Sequence, residues 1–278
     1  MTTDDREFAR RIELAEAVDM AAFAAELAQV APELRAVTFP LVDGHAVLTG
    51  KGMYVNGALA VGIDRVPTAD EFDQWESACA HVGVAPSFEV HEHSHPDLVP
   101  AIEARGYALE PDSLRTGLVL SQSSYSPRAV SEDIEVLQVT TPSLVETWKE
   151  LTAAGWGHET PERRAVSDRF TDVAARIQKP GLFLAVERST GRPIGCANLS
   201  FLGETALLGG MSTLPAERGR GVQSALIQHR LRLAWRSGRS LAATHAKPGE
   251  GSIRNLERAG FKPVLTKATY ERPLSNAS

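Results

Sequence analysis

Leu208-Gly209-Gly210-Met211-Ser212-Thr213-Leu214-Pro215 runs directly into Arg218-Gly219-Arg220-Gly221-Val222-Gln223 and then into a helix-spaced apolar stripe. The opening segment reads as a strand that Pro215 breaks, followed by a glycine-punctuated turn and a helix start. Glycines at 219 and 221 carry no Cβ, so the backbone there can take positive φ and let an oxyanion approach its amides. The first turn of the helix adds unpaired N–H groups and the positive end of the macrodipole. Arg218 and Arg220 place fixed charge beside it. Together these features suit a pyrophosphate. The stripe of Val222, Ala225, Leu226, His229 and Leu233 has helical spacing, and Ile227, Leu231 and Ala234 make the other flank apolar, so the helix is packed on more than one side. A lone G-x-G also serves as a plain capping turn; the strand, the proline break and the long helix together favour a phosphate cradle.

Length and composition bound the rest. At 278 residues the chain fits two domains better than one. A net charge of −6 argues against a protein that grips nucleic acid through its phosphates. Cys79 and Cys196 lie far apart with no C-x-x-C spacing, which suggests buried thiols rather than a disulfide framework or a structural zinc site. No apolar run approaches the roughly 20 residues a bilayer requires, and Asp4, Asp5 and Glu7 make the start too acidic for a signal peptide. The expectation is a soluble cytoplasmic protein without a membrane partner.

The polar run Ser121-Gln122-Ser123-Ser124-Tyr125-Ser126-Pro127 marks a boundary, giving domains at 1–121 and 132–278 with a linker at 122–131. The first half reads as a helix over 15–29, strands near 38–40 and 46–48, an Asn56-Gly57 turn, a helix over 70–82 capped by Thr68, a strand over 87–93, a helix over 97–105 stopped by Gly106, and a strand over 114–120. The second half repeats that order with longer elements: a strand over 134–139, a helix over 143–154 capped by Ser143, a helix over 162–178, a hairpin of 182–186 and 194–199, the strand 205–213, the cradle helix, a strand over 241–245, a helix over 252–259 stopped by Gly260, and a strand over 264–270. Ala104-Arg105-Gly106-Tyr107 and Arg258-Ala259-Gly260-Phe261 end both halves alike, the mark of an internal duplication.

On these residues the second half resembles the GNAT superfamily of N-acetyltransferases, and the whole chain resembles its tandem members, over 132–273 well and over 1–120 more loosely. The implied fold is α/β (α+β), two GNAT-like domains, each a central mixed, mostly antiparallel sheet flanked by helices. The family signature is Arg or Gln, two residues, Gly, one residue, then Gly or Ala; Arg218, Gly221 and Gln223 occupy it, with Gln223 replacing the small last residue. The resemblance implies acetyl-CoA as co-substrate, its pantetheine arm pairing with the backbone of Met211, Ser212 and Thr213 and its pyrophosphate lying on the amides of Gly219, Arg220, Gly221, Val222, Gln223 and Ser224. Asn255 would bond the cofactor or the turn before it. Many members place a proton-donating tyrosine where this chain has Leu256. The first half lacks the arginine-glycine run near Asn56 to Arg65 and reads as a degenerate copy that shapes the substrate cleft.

Acetyl transfer to an amine needs a neutral nitrogen, a donor for the developing oxyanion and a proton acceptor. The N–H of Met211 or its neighbours would serve the oxyanion where the strand splays. Candidates for the acid–base work are Glu204, before that strand, His245, at the end of the next, and Tyr270, in the last, each with a bland alternative as a solvated turn residue, a bonded surface group or a packing residue. Trp156-Gly157-His158-Glu159 falls where the family's substrate loop lies, and Trp156 is either a pocket wall or core packing. His91, His93 and His95 alternate along a strand, yet no fourth ligand is indicated and Pro96 bends the chain, so the reading is a polar sheet face and no metal. The expected partner is a small-molecule amine, or a peptide amine; either a monomer or an oligomer satisfies these readings. A non-catalytic acyl-CoA-binding module remains the alternative. A dinucleotide-dependent oxidoreductase is disfavoured, because no further G-x-x-G glycine follows and the turn lies late in the chain.

Overall fold

The computed structural model describes residues 3–158, 160–177, 181–249 and 251–274. Two compact units divide the chain: residues 1–117 with 246–248 and 263–278, and residues 118–245 with 249–262.

The first unit holds α1 (Thr3–Val30), β1 (Val37–Leu41), β2 (Gly44–Leu48), β3 (Asn56–Leu59), α2 (Ala69–Val82), β4 (Ser87–His91), α3 (Leu98–Ala104), β5 (Ala108–Leu109) and, from the far end of the chain, β12 (Lys262–Glu271). Its sheet runs β1-β2-β3-β4-β12, with β5 paired to β12. The pairs are antiparallel except β3 and β4, which run parallel and meet at Ala58 and Phe88. Phe72, Trp75, Cys79 and Val82 recur at helical spacing and bury one face of α2. They close on Phe88, Leu98, Ile102 and Tyr107, where Phe88 receives the edges of Phe72, Trp75 and Tyr107 at centroid distances of 5.6, 6.3 and 5.2 Å. The opposite face carries α1, whose Ala17, Ala21 and Ala24 let the helix lie close on Val47, Leu59 and Ile63. Lys267 of β12 is buried among Glu13, Glu16 and Glu89. Thr68 caps α2 in a full capping box with Glu71, as the sequence predicts.

The second unit holds most of β6 (Arg115–Ser121), then β7 (Ile134–Gln138), α4 (Pro142–Trp156), α5 (Pro161–Ile177), β8 (Leu182–Glu187), β9 (Pro193–Leu202), β10 (Thr205–Thr213), α6 (Val222–Arg236), β11 (Leu241–Ala246) and α7 (Gly251–Arg258). Strand order is β6-β11-β10-β9-β8-β7. Helix α4 packs Trp148 and Leu151 on Leu182, Leu184 and Cys196, while α6 covers β9 and β10 from the other side. Among the described residues no helix is long and apolar enough to cross a membrane.

Several local expectations shift. The boundary falls inside β6, and the last strand, assigned from sequence to the second domain, belongs to the first unit because it pairs with β4 from Lys267 opposite His91 to Glu271 opposite Ser87. The serine-rich run is no free tether: Tyr125 donates its hydroxyl to Gln228 Oε1 at 2.8 Å. Asn56-Gly57 begins β3 instead of making a turn, since the Asn56 amide is consumed in closing the preceding loop, accepting from the N–H groups of Thr49 and Gly50 and donating to the carbonyls of Gly50 and Met53. Thr141, not Ser143, caps α4. Gln178, the expected end of α5, lies outside the described residues.

Candidate functional site

The site grows from β10. This strand pairs with parallel β11 only from Thr205 to Leu207, opposite Leu241 to Ala243. One residue further on, Thr244 Oγ1 donates to the Leu208 carbonyl at 2.7 Å, and beyond that level the ladder between the two strands ends. On its other edge β10 pairs with β9, where the register slips: Gly209 faces Asn198 and Ser212 faces Cys196, so Gly210 and Met211 share the single partner Ala197. Gly210 makes this bulge with φ at 51°, a bend that a side chain opposes. The outcome is a strand whose outer half has a free edge, bent at two glycines.

Past Thr213 the chain enters the glycine turn. Gly219 and Gly221 both have positive φ, 81° and 87°, and a Cβ at either would find nothing within 4 Å. Gly221 is the N-cap residue of α6 and supplies no side-chain cap, whereas Thr68 and Thr141 cap α2 and α4 through their hydroxyls. The first turn of α6 also lacks acidic residues. Open space, uncapped amides and a positive helix end coincide at residues 219–224. Such a seat suits an anion, which backbone N–H groups would hold.

The arginines of the turn are engaged by protein groups. Arg220 bonds the carboxylates of Glu187, at 3.0 Å, and Glu217, and Arg192 reaches Glu217 at 2.9 Å. These arginine contacts hold Glu217 below the usual carboxylate range, as Thr190 and Arg220 do for Glu187. Arg218 points its Nη2 toward the Gly155 carbonyl at 3.4 Å. Both side chains tie the turn to neighbouring protein groups, while the open side at Gly219 and Gly221 is backbone. Gln223 accepts from the Asn255 amide, and Arg258 donates to Asn255 Oδ1 at 3.0 Å. Asn255 thus ties α7 to the start of α6 and, in this structure, is engaged by protein on both ends of its amide.

The acid–base candidates separate. Glu204 sits in the turn ahead of β10, accepting from Ser240 Oγ at 3.1 Å. At about 3.3 Å per strand residue that is roughly 17 Å from the bulge, at the closed end of the β10–β11 pair, too far for proton transfer there. Tyr270 belongs to the first unit, opposite Phe88 and Leu109, and packs against that unit's aromatic core. His245 lies two residues past the last β11 residue paired with β10, half-buried, so the register carried forward sets it level with Gly209. Leu256, at the place of the family's tyrosine, is 2% exposed. One helical turn earlier on the same face of α7, the Ser252 hydroxyl is buried with no hydrogen-bond partner among the described residues.

On the α4 side, Gly155 lies so close to β10 that a Cβ would fall 1.6 Å from Ser212 Oγ. The next residue, Trp156, is 57% exposed with His158 beside it at 6.4 Å between centroids, so it packs in no core. Glu159 lies outside the described residues. The three histidines of the first half do not converge: β4 ends at His91, His93 bonds the Val264 carbonyl, and His95 Nδ1 accepts from the Asp97 N–H.

The first unit has its own parallel pair, β3 and β4, with a turn between β3 and α2. Here the seat is filled. The Asp43 carboxylate accepts from the N–H of Gly62 at 2.9 Å and of Asp64 at 2.6 Å, and the start of α2 carries its own cap plus Asp70 and Glu71. An internal carboxylate holds the amides that a phosphate would need.

Sequence reading missed Asp43, Ser252 and, above all, Arg230, which is buried on α6 against the bulge. Its only signal is position, three residues from Ile227 and four from Leu226 within an otherwise apolar flank.

Comparisons with known proteins bear on the family and the fold. Residues 142–261 match the model of the Acetyltransferase (GNAT) family. A GCN5-related N-acetyltransferase from Kribbella flavida is similar over 92% of this chain and 97% of its own, at 17% identity and a TM-score of 0.65. A tandem GNAT protein from the clavulanic acid biosynthesis pathway is similar over 79% of this chain and 75% of its own, at 16% identity and a TM-score of 0.58. With a GCN5-related N-acetyltransferase from Sphaerobacter thermophilus the identity is 20% and the TM-score 0.55; this chain covers 66% of that protein's length and 72% of itself is matched. None of the curated proteins matches the sequence. These likenesses give the fold: two GNAT-like domains of mixed sheet and flanking helices.

Proposed function

We propose, from the membership of residues 142–261 in the GNAT acetyltransferase family, that this chain transfers the acetyl group of acetyl-CoA to a primary amine of a small molecule. The observation that carries the reading is the backbone seat: α6 begins without a side-chain cap beneath two glycines whose missing side chains leave open space. The diphosphate of coenzyme A fits that seat, and its pantetheine arm fits the free edge of β10 at Met211, Ser212 and Thr213. The thioester then lies at the bulge.

A neutral amine nitrogen attacks the thioester carbonyl carbon; the C–N bond forms, the C–S bond breaks, the amine gives up a proton and the thiolate gains one. His245, level with the bulge, is the candidate to accept the amine proton. Leu256 cannot donate one, so the departing thiolate takes its proton from solvent. Trp156, exposed beside the close contact of Gly155 with β10, is placed to bound the amine. The first unit holds no acyl-CoA in this reading, because Asp43 occupies its amides.

An acyl-CoA-binding module without turnover is the second reading, favoured by the apolar Leu256 alone. Mixing protein, acetyl-CoA and a panel of primary amines while following free thiol separates the two. Thiol release that depends on one amine supports the transferase; calorimetric binding with no release for any amine supports the module; no binding of acetyl-CoA refutes both.

A further inference from the structure

We propose that Arg230 is a positioning residue for acetyl transfer, gripping the Gly209 carbonyl behind the bulge so that the Gly210 N–H of the same peptide is aimed at the thioester oxygen. This deepens the acetyl-CoA reading and rests on it.

Arg230 is 1% exposed. Its Nη1 donates to the carbonyls of Asn198 at 2.8 Å and Gly209 at 3.2 Å, the two residues that face each other where the β9–β10 register begins to slip. Its Nη2 lies 3.1 Å from Met211 Sδ, and its Nε donates to the Leu226 carbonyl one turn back in α6 at 3.1 Å. No carboxylate pairs with it among the described residues. Burial pushes the guanidinium down to about 9, which leaves it charged at neutral pH. An interior cation without a counter-ion is costly to a fold, and an apolar side chain of similar volume would be cheaper. Apart from the helix carbonyl, every partner of this one belongs to the bulge or to the residue facing it.

Peptide geometry turns that grip into direction. In a trans peptide the C=O and N–H point opposite ways. With the Gly209 carbonyl held on the α6 side, the Gly210 N–H must point away from α6, and Gly210, at φ 51°, supplies the bend that permits it. A cation bonded to the carbonyl also polarises the peptide and strengthens its N–H as a donor. During transfer, negative charge gathers on the thioester oxygen as the amine nitrogen bonds to the carbonyl carbon, before sulfur departs. A fixed donor backed by buried positive charge stabilises that oxygen without reorganising.

Infrared difference spectra of acetyl-CoA, isotope-labelled at the thioester carbonyl and bound to the full-length protein, test the proposal, with calorimetry giving the affinity. The wild-type protein is expected to shift the carbonyl stretch to lower frequency than in free acetyl-CoA. Arg230→Met should lose most of that shift while its Kd stays within about threefold of wild type, and kcat with an accepted amine should fall about 30-fold at unchanged KM. Arg230→Lys keeps a cation but reaches fewer carbonyls, and should restore part of the shift. If the methionine variant fails to fold, the lysine variant decides by the same two readings. A full wild-type shift in either variant overturns the proposal, as does loss of shift and affinity in equal proportion, the mark of a merely structural role. A wild-type protein that binds acetyl-CoA without shifting the carbonyl overturns it too, whereas one that binds no acetyl-CoA refutes the cofactor reading beneath it.

Discussion

Replacing Gly221 with valine separates the strain of the cradle from its chemistry. The residue has φ 87°, and a Cβ there would meet no atom within 4 Å, so the unliganded protein suffers no clash. The cost is backbone strain alone, about 2 kcal/mol for a side chain held in the left-handed region, or roughly 4–8 °C in Tm for a unit of this size. Binding should suffer more. The added methyl groups stand where a phosphate oxygen approaches the amides at the start of α6, and a hydrogen bond to a charged group contributes about 1.5–3 kcal/mol. Displacing the diphosphate from two such amides weakens acetyl-CoA by about 3–6 kcal/mol, on the order of a hundredfold to ten-thousandfold in Kd. Gly191, in the turn between β8 and β9, offers a matched control: its φ is 71° and its Cβ direction is equally empty. Gly191→Val should lose comparable stability and retain affinity. Thermal scans and titration calorimetry on both variants give the answer. Equal affinity for Gly221→Val and wild type, alongside a lowered Tm, would remove the diphosphate from this turn.

Further outcomes follow from individual contacts. Asp43→Ala frees the amides of Gly62 and Asp64 and should cost about 2–4 kcal/mol in urea denaturation, while calorimetry still finds one acetyl-CoA per chain; a second equivalent would show that the first unit keeps a usable seat. Lys267→Met removes the cation shared by three carboxylates of the first unit and should destabilise it by about 3–5 kcal/mol, a loss under 1 kcal/mol arguing that the cluster relaxes into solvent. Arg65 and the Thr68 N–H hold Glu71 down to about 2. Its folded value lies below the unfolded one near 4.3, so its contribution is complete above about pH 4.3 and disappears as the pH falls toward 2; screened by solvent, it amounts to about 1 kcal/mol. Glu71→Gln should flatten that part of the stability–pH curve, and an unchanged curve would contradict the pairing. Because Arg218 and Arg220 are turned to protein partners, added salt should weaken acetyl-CoA binding only modestly, and a steep dependence would reveal direct arginine–phosphate contacts.

Where side-chain type and spacing act locally, the chain could be read in advance. Strand β10 begins and ends at the residues its pattern indicates, and the Thr68 cap with Glu71 three residues on follows from hydroxyl and carboxylate chemistry within one turn. The glycine turn was legible for the same reason, since positive φ is a local demand. What escaped depends on contacts that residue type does not announce, some local and some made from afar. Ser143 and Thr141 are equally good caps by type, and Pro142, at the first helical position, sets the cap one residue before it at Thr141. Asn56-Gly57 has the composition of a hairpin turn, but its amide finds four backbone partners in the loop before it and the turn never forms. The strand over 262–271 carries nothing that names its unit until Lys267 meets carboxylates some 250 positions earlier in the chain. Charged residues on a helix are read as solvent-facing, and that default concealed Arg230.

The two units carry the same local device with opposite outcomes, and the difference lies in what satisfies the amides. Each has a parallel strand pair and a turn with positive-φ glycine followed by a helix, which starts at once after Gly221 in the second unit and at Ala69, beyond Gly62, in the first. In the first, Asp43 bonds the turn amides, Thr68 caps the helix and two acidic residues follow at once. The N–H groups of Gly62, Asp64, Thr68 and Glu71 all find acceptors within the protein, and negative charge already stands at the helix start. In the second, the cap position is glycine, the first turn is uncharged, and the nearby carboxylates Glu187 and Glu217 are neutralised by Arg192 and Arg220. Orphan N–H groups at a helix start cost stability unless something accepts from them. Helix α6 starts without a side-chain cap, as α3 does, but it alone of the two follows a pair of positive-φ glycines beside open space; under the acetyl-CoA reading its orphan donors serve an anion, and two adjacent phosphates offer acceptors to consecutive amides.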